Sequence, residues 1–108
     1  MSIVFDRERL VEQLGGQSIV EELLVMFAAS IRLHLTQLDD AVRAHDIQAA
    51  QRAVHNIKGI SGSIYCHTLH THASVVDKAL KFGKVDLEEI TRLRESAQEF
   101  LGTIDSDG

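Results

Sequence analysis

Histidine side chains are the groups in this 108-residue chain best suited to chemistry near neutral pH, and there are six of them. The unperturbed pKa of histidine lies near pH 6.5, so a neutral imidazole nitrogen is available there as a nucleophile. His55 differs from the other five because Lys58, Gly59 and Gly62 follow it at the spacing of helical turns. On a helix, residues at this spacing share one face.

The helix predicted around His55 has an apolar side and a polar side at about 100° per residue. The apolar side lies opposite His55 and is expected to face the core; its members are Ala50, Ala53, Ile57, Ile60 and Ile64. The polar side surrounds His55; its members are Gln48, Gln51, Arg52, Lys58, Gly59 and Gly62. His55 is therefore predicted to be exposed at the centre of a polar face.

Gly59 and Gly62 need a reason, because each costs a helix about 1 kcal/mol relative to alanine. On the His55 face they would let the surface of another protein approach the imidazole. The Lys58 ammonium, one turn away, would pair with the oxygens of a phosphoryl group on His55. These parts suit phosphoryl transfer, which depends on positioning and charge neutralisation. The alternative is an ordinary surface histidine with a solvated lysine and glycines that permit close helix packing.

Loops that bind ATP phosphates are missing from the sequence, which contains neither G-x-x-x-x-G-K-[ST] nor a kinase-type glycine loop. Gly15-Gly16 is typical of a turn. We therefore predict a phosphotransfer module and not an enzyme, without an ATP site, autokinase activity or a cofactor of its own.

A second group of possible ligands consists of Cys66, His67, His70 and His72. Histidines at i and i+3 can chelate zinc on a helix face. No E-x-x-H pairing accompanies them, and the step to His72 points around the helix. We predict no metal site and expect Cys66 to be a small buried residue. A histidine-rich metal-binding bundle is kept as an alternative function.

The elements that would position His55 are predicted to be helical. A short first helix runs from about Asp6 to Leu14 and ends at Gly15-Gly16. Ser18 then caps a long second helix, with Glu21 completing a capping box. The apolar stripe of that helix consists of Val20, Leu23, Leu24, Phe27, Ile31, Leu35, Leu38 and Val42.

Three further helices follow a break at His45-Asp46. Asp46 caps the third helix, from about Ile47 to Ser63 or beyond, and the fourth covers about Thr68 to Phe82. Gly83 ends the fourth helix as a C-cap.

Asp86 opens a fifth helix, with Glu89 at the capping-box position, which ends near Gly102 and leaves residues 103–108 as a frayed tail. Long amphipathic helices with short connections predict an all-α fold, an antiparallel four-helix bundle. The short N-terminal helix is additional and would lie across one end. The length fits a single domain over residues 1–108.

Composition argues against several other classes of protein. The net charge is −5 and no block of Lys and Arg occurs, so nucleic acid is not expected as a partner. No apolar run approaches the roughly 20 residues of a membrane span, and the segment Met1–Asp6 does not read as a signal peptide. The single cysteine cannot form an internal disulfide, so we predict a cytoplasmic location without membrane attachment. Because one bundle buries the visible stripes, we predict a monomer.

The segment His55-Asn56-Ile57-Lys58-Gly59 reads H-x-I-K-G and resembles the H-x-[LI]-K-G core of histidine-containing phosphotransfer domains, the HPt family. The similarity extends over about Leu24 to Gly83. Its further positions are Phe27, Ile31, Leu35, Leu38, Ala41, Asp46, Ala50, Gly62, Ser63, Ile64, Leu69, Ala73, Val76 and Asp77.

The resemblance implies a phosphoprotein of a two-component phosphorelay. His55 would accept a phosphoryl group from an aspartyl phosphate on a receiver domain, including that of a hybrid sensor kinase. It would then pass the group to the aspartate of another response-regulator receiver. Mg²⁺ would belong to the receiver domains.

The resemblance also implies roles for the residues around His55. Lys58 would stabilise the phosphoryl group, and Asp77 would accept a hydrogen bond from His55 Nδ1–H and leave Nε2 free to attack. The residues expected to contact the partner are Gln51, Arg52, Gly59, Gly62 and Lys81.

Tyr65 departs from the family, which usually has a glycine ten residues after the histidine. Near the end of the third helix, Tyr65 would either pack beneath the helix junction or restrict which receiver docks. It favours the remaining alternative, a helical adaptor that binds receiver or kinase domains without transferring phosphate.

Overall fold

The computed structural model describes residues 5–107. Five helices make up this part of the chain: α1 Arg7–Leu14, α2 Gln17–Arg43, α3 Ile47–Ser63, α4 His67–Lys81 and α5 Leu87–Asp107. No β-strand occurs between residues 5 and 107, so the all-α prediction is confirmed. Of the segment Met1–Asp6 considered for a signal peptide, residues 1–4 lie outside the described residues, as does the last tail residue, Gly108.

The helices α2 to α5 pack in a closed ring. α3 contacts α2 and α4, and α5 contacts α4 and α2, whereas α1 packs on α2. The core lies inside this ring, and its largest fully buried apolar side chains are Val20, Ile31, Leu38, Val54, Ile57, Ile64, Leu69, Val76, Leu80, Leu93 and Phe100. Burial of these side chains is the main favourable term that holds α3 in place.

The predicted starts of α3 and α5 are confirmed by their caps. Asp46 Oδ1 accepts a hydrogen bond from the Ala49 amide at 3.0 Å, and Asp86 Oδ1 accepts one from the Glu89 amide at 3.2 Å. Each bond satisfies an amide that the first helical turn leaves without an intrahelical partner. Two short polar side chains thus determine where these helices begin.

Gly83 ends α4 as predicted, with a left-handed φ of 73°. Its amide donates to the Leu80 carbonyl at 2.9 Å, which satisfies one of the last carbonyls of the helix. The bounds of α4 are His67 and Lys81, each one residue earlier than predicted.

The prediction that Ser18 caps α2 is wrong. Gly15 adopts a left-handed φ of 83° and ends α1, and Gly16 is then the N-cap of a helix that already includes Gln17. Two glycines reverse the chain so tightly that α2 begins before Ser18, and no side chain caps it.

The predicted frayed tail is also wrong as far as Asp107, because α5 extends there and not to Gly102. Ile104 packs against the core in the added turn. The Arg32 guanidinium of α2 bonds both carboxylate oxygens of Asp105, at 2.7 and 2.9 Å. An exposed ion pair is worth at most about 1 kcal/mol, but here it adds to the apolar contact of the same turn.

Among the described helices, none is both long enough and apolar enough to cross a membrane.

Candidate functional site

His55 is exposed near the middle of α3, as the helical wheel predicts. The opposite side of α3 is buried at Ala50, Ala53, Ile57 and Ile64, and Ile60 is half-buried. Because this apolar side is held by α2 and α4, the backbone beneath His55 is fixed while the imidazole faces solvent.

An open depression of about 540 Å³ lies beside His55 on the surface of α3; its lining residues are Gln48, Gln51, Arg52, His55 and Asn56. Of the residues predicted to contact a partner, Gln51 and Arg52 therefore lie next to His55. Arg52 brings a guanidinium with five N–H donors to this depression, and guanidinium groups bind carboxylates and phosphates well.

Lys58, Asp77 and Lys81 form a second group, between α3 and α4. Asp77 Oδ2 lies 3.7 Å from Lys58 Nζ and 3.4 Å from Lys81 Nζ. The Asp77 side chain is only 2% exposed, whereas the Lys58 and Lys81 side chains are 34% and 58% exposed. One buried carboxylate thus stands between two partly exposed ammonium groups.

The hydrogen bond predicted from His55 Nδ1 to Asp77 is not formed. Within residues 5–107, Asp77 Oδ1 is buried without a hydrogen-bond partner, and Oδ2 faces the two lysines. Asp77 is buried on α4 and its carboxylate faces Lys58 of α3, whereas the His55 side chain is exposed.

The two glycines of the His55 face have different surroundings. A Cβ at Gly59 would meet nothing within 4 Å, so that position is open to an approaching surface. A Cβ at Gly62 would lie 3.3 Å from His70 Nδ1. His70 Nδ1 in turn lies 3.1 Å from the Lys58 carbonyl oxygen, which can only accept, so Nδ1 carries the proton. Gly62 therefore leaves space for the His70 ring, whose hydrogen bond to the Lys58 carbonyl connects α4 to α3.

Tyr65 occupies a left-handed conformation with φ 57°, two residues after the end of α3 at Ser63. Glycine is the residue that takes such a φ without steric cost, which accounts for the residue usual in the family. Here the Tyr65 hydroxyl bonds Gln13 Oε1, and the Arg9 guanidinium lies 4.2 Å from the ring centroid. Tyr65 is half-buried and packs against the core, so it lies at the helix junction and holds α1 there.

We expect Tyr65→Gly to loosen α1 while α2–α5 keep their fold. The substitution removes about 1 kcal/mol or more of left-handed strain but also removes the contacts to Gln13 and Arg9. Amide hydrogen exchange should rise at least about tenfold in residues 7–14 and change little in α3. Gln13→Ala, which removes the hydroxyl's partner and keeps the strained tyrosine, is the matched control and should loosen α1 in the same direction. Unchanged exchange in α1 for both variants would contradict the anchoring role.

Cys66, His70 and His72 make contacts within the fold. Cys66 is 1% exposed, and burial raises the pKa of its thiol to about 11, so it stays protonated at neutral pH. His72 Nδ1 lies 3.2 Å from Glu89 Oε2. Among the side chains that the structure describes, residues 5–105, no three of His, Cys, Asp or Glu are grouped so that they could hold one metal ion.

A row of exposed apolar side chains on α2 was missed by the sequence prediction. Ile19, Met26 and Leu33 are 49%, 63% and 55% exposed and follow one another at intervals of seven residues. One turn beyond Leu33, Gln37 lines a groove of about 410 Å³ together with Ala49, Arg52 and Ala53 of α3. The edge of α2 that carries this row therefore adjoins α3. The signal for this row in the sequence is that these apolar residues of α2 lie outside the apolar stripe that was predicted to be buried.

Comparison with known families gives one result. A family model described as Hpt domain matches residues 22–103, which include α3, α4 and most of α2 and α5. No curated protein and no solved structure matches the chain significantly.

Proposed function

Because the chain belongs to the Hpt domain family, whose members carry phosphoryl groups in phosphorelays, we propose that His55 is its phosphoacceptor. The observation that carries this proposal is the exposed imidazole at the centre of a polar face, with Lys58 one turn away. We further propose that the donor and the acceptor are aspartates of two receiver domains, one of them on a hybrid sensor kinase.

The transfer is an in-line displacement at phosphorus. His55 Nε2 attacks the aspartyl phosphate, the N–P bond forms, and the P–O bond to the aspartate breaks with release of the carboxylate. The reverse displacement on a second receiver regenerates the free imidazole. On the His55 side Lys58 neutralises charge on the phosphoryl group, and a Mg²⁺ ion held by the receiver would do so on the aspartate side.

The docking surface that we propose has three parts. Arg52 and Gln51 line the depression beside His55 and bind polar groups of the receiver. Gly59 leaves open space for its backbone. Lys81, which is exposed on α4, would face acidic groups of the receiver.

The exposed row on α2 extends this surface. Consecutive helices that pack together across short connections run antiparallel, and we propose this arrangement for α2 to α5 as an antiparallel four-helix bundle. In this antiparallel arrangement, Leu33, one turn before Gln37, would lie level with Asn56 and Gly59, which follow Arg52 on α3. An apolar side chain there would lie beside the polar residues that surround His55. Apolar residues bordered by polar ones are typical of protein-binding surfaces.

We expect Leu33→Glu to weaken binding of the receiver about tenfold, because it places a charge in an apolar contact. The matched control is Val25→Glu on the same helix, 63% exposed against 55% for Leu33. By helix geometry Val25 lies on the α5 side of α2 and not on the α3 side. Titration of each variant with receiver gives the two dissociation constants. If both variants weaken receiver binding equally, or if neither weakens it, the exposed row on α2 has no docking role.

The proposed function is tested by incubating the protein with phosphorylated receiver domains of the same organism. Acid-labile, base-stable label should appear on this chain and then move to a second receiver. Failure to gain label from every receiver would reject phosphotransfer. Tyr65 packs against Gln13 and Arg9 of α1, so it gives no support to the non-transferring adaptor that it first suggested.

A further inference from the structure

Asp77 is the most completely buried ionisable side chain of the site, and one of its oxygens has no hydrogen-bond partner. Burial of a carboxylate is unfavourable unless nearby charges compensate it. Lys58 and Lys81 supply that compensation through the same oxygen, Oδ2.

These two contacts are loose. The distances of 3.7 and 3.4 Å exceed the roughly 2.8 Å of a charge-assisted hydrogen bond, so both are ion pairs without tight hydrogen bonding. The Lys58 and Lys81 side chains are partly exposed, and Lys58 lies one helical turn from His55 on α3. Each ammonium can therefore turn to another anion at the surface without leaving its helix.

We propose that Asp77 sets how strongly the site retains a phosphoryl group, by competing with it for the ammonium of Lys58. This inference rests on the proposed role of His55. Lys58, Asp77 and Lys81 carry a combined charge of +1, and a phosphoryl group on His55 adds about two negative charges. Without Asp77, the Lys58 ammonium would no longer be shared between a carboxylate and that group. Asp77 is thus a positioning residue that keeps phosphohistidine reactive enough to pass its phosphoryl group on.

The test is the equilibrium constant for phosphoryl exchange between this protein and one receiver, measured from both directions with Asp77→Asn. The amide keeps the size of the side chain and removes the charge. We expect the equilibrium to shift about tenfold toward phosphorylated His55, with slower return to the receiver. If Asp77 had only a structural role, Asp77→Asn would slow phosphoryl transfer in both directions and leave the equilibrium constant unchanged.

Two further variants determine whether Asp77 acts through Lys58. In a Lys58→Ala background, Asp77→Asn should shift the equilibrium by less than about twofold, because the competing ammonium is gone. Asp105→Asn, which also removes one carboxylate from an ion pair, should leave the equilibrium unchanged. An equal shift in both backgrounds, or a similar shift for Asp105→Asn, would overturn the proposal.

The wild-type protein offers a measurement that does not depend on how Asp77→Asn folds. Phosphoramidate serves as a small-molecule phosphoryl donor to histidine, so no receiver is needed. On phosphorylation we expect NMR shift changes at Lys58 Nζ and Asp77 Cγ, with Asp105 Cγ as the unaffected reference. Absence of change at both atoms would reject the competition. Absence of label from receivers would instead reject the proposed relay, so the two failures are distinguishable.

Discussion

His55→Gln is expected to abolish phosphoryl acceptance, with label at least about a hundredfold below wild type. The amide of glutamine keeps polarity and similar reach but has no nucleophilic nitrogen, whereas a neutral imidazole has one near pH 7. The fold should be unaffected, because His55 is exposed on a helix whose opposite side carries the core contacts. Substitution at such a position usually changes stability by less than about 0.5 kcal/mol.

The measurement combines label transfer from a phosphorylated receiver with thermal unfolding of the same samples. His67→Gln is the matched control, since His67 is also an exposed helical histidine and should leave labelling intact. Persistent acid-labile label on His55→Gln would show that another histidine is the acceptor. Loss of label in both variants would show that the assay reports something other than one reactive residue.

Gly59→Gln is expected to stabilise the protein and at the same time weaken its transfer reaction. Glutamine is favoured over glycine in a helix by close to 1 kcal/mol, and nothing in the structure lies within 4 Å of a Cβ at this position. The space that stays empty in the free protein is the space that a docked receiver would use. We expect the receiver concentration for half-maximal transfer to rise about tenfold, which corresponds to about 1.4 kcal/mol.

Gly62→Gln is the comparison, because its Cβ would lie 3.3 Å from the His70 ring. Moving that ring disturbs the bond to the Lys58 carbonyl, so the gain in stability expected at Gly59 should be lost at Gly62. Urea unfolding and transfer kinetics on both variants separate the two roles. A stabilised Gly59→Gln that transfers as fast as wild type would falsify the clearance argument.

Opposite changes in stability and transfer are informative because most substitutions lower both. A variant that is better folded and transfers less has lost an interaction with another protein and not its own structure.

The sequence by itself determined the helices and the face that carries His55. The starts of α3 and α5 and the end of α4 follow from local chemistry, because the Asp46 and Asp86 caps and the glycine at position 83 act within a few residues of the chain. The face of α3 is likewise a property of one helix, so the wheel predicted the exposure of His55 and the burial of Ile57 correctly.

Only the tertiary structure decided what surrounds that face, because those contacts join residues far apart in the sequence. Tyr65 meets a partner 52 positions away in Gln13, and Arg32 pairs with Asp105 across 73 positions. Asp77 on α4 resembles a surface residue in the sequence, yet the packing of α4 on α3 buries it against Lys58. Spacing along one helix therefore identified the reactive residue, while the charges that act on it depend on how two helices pack.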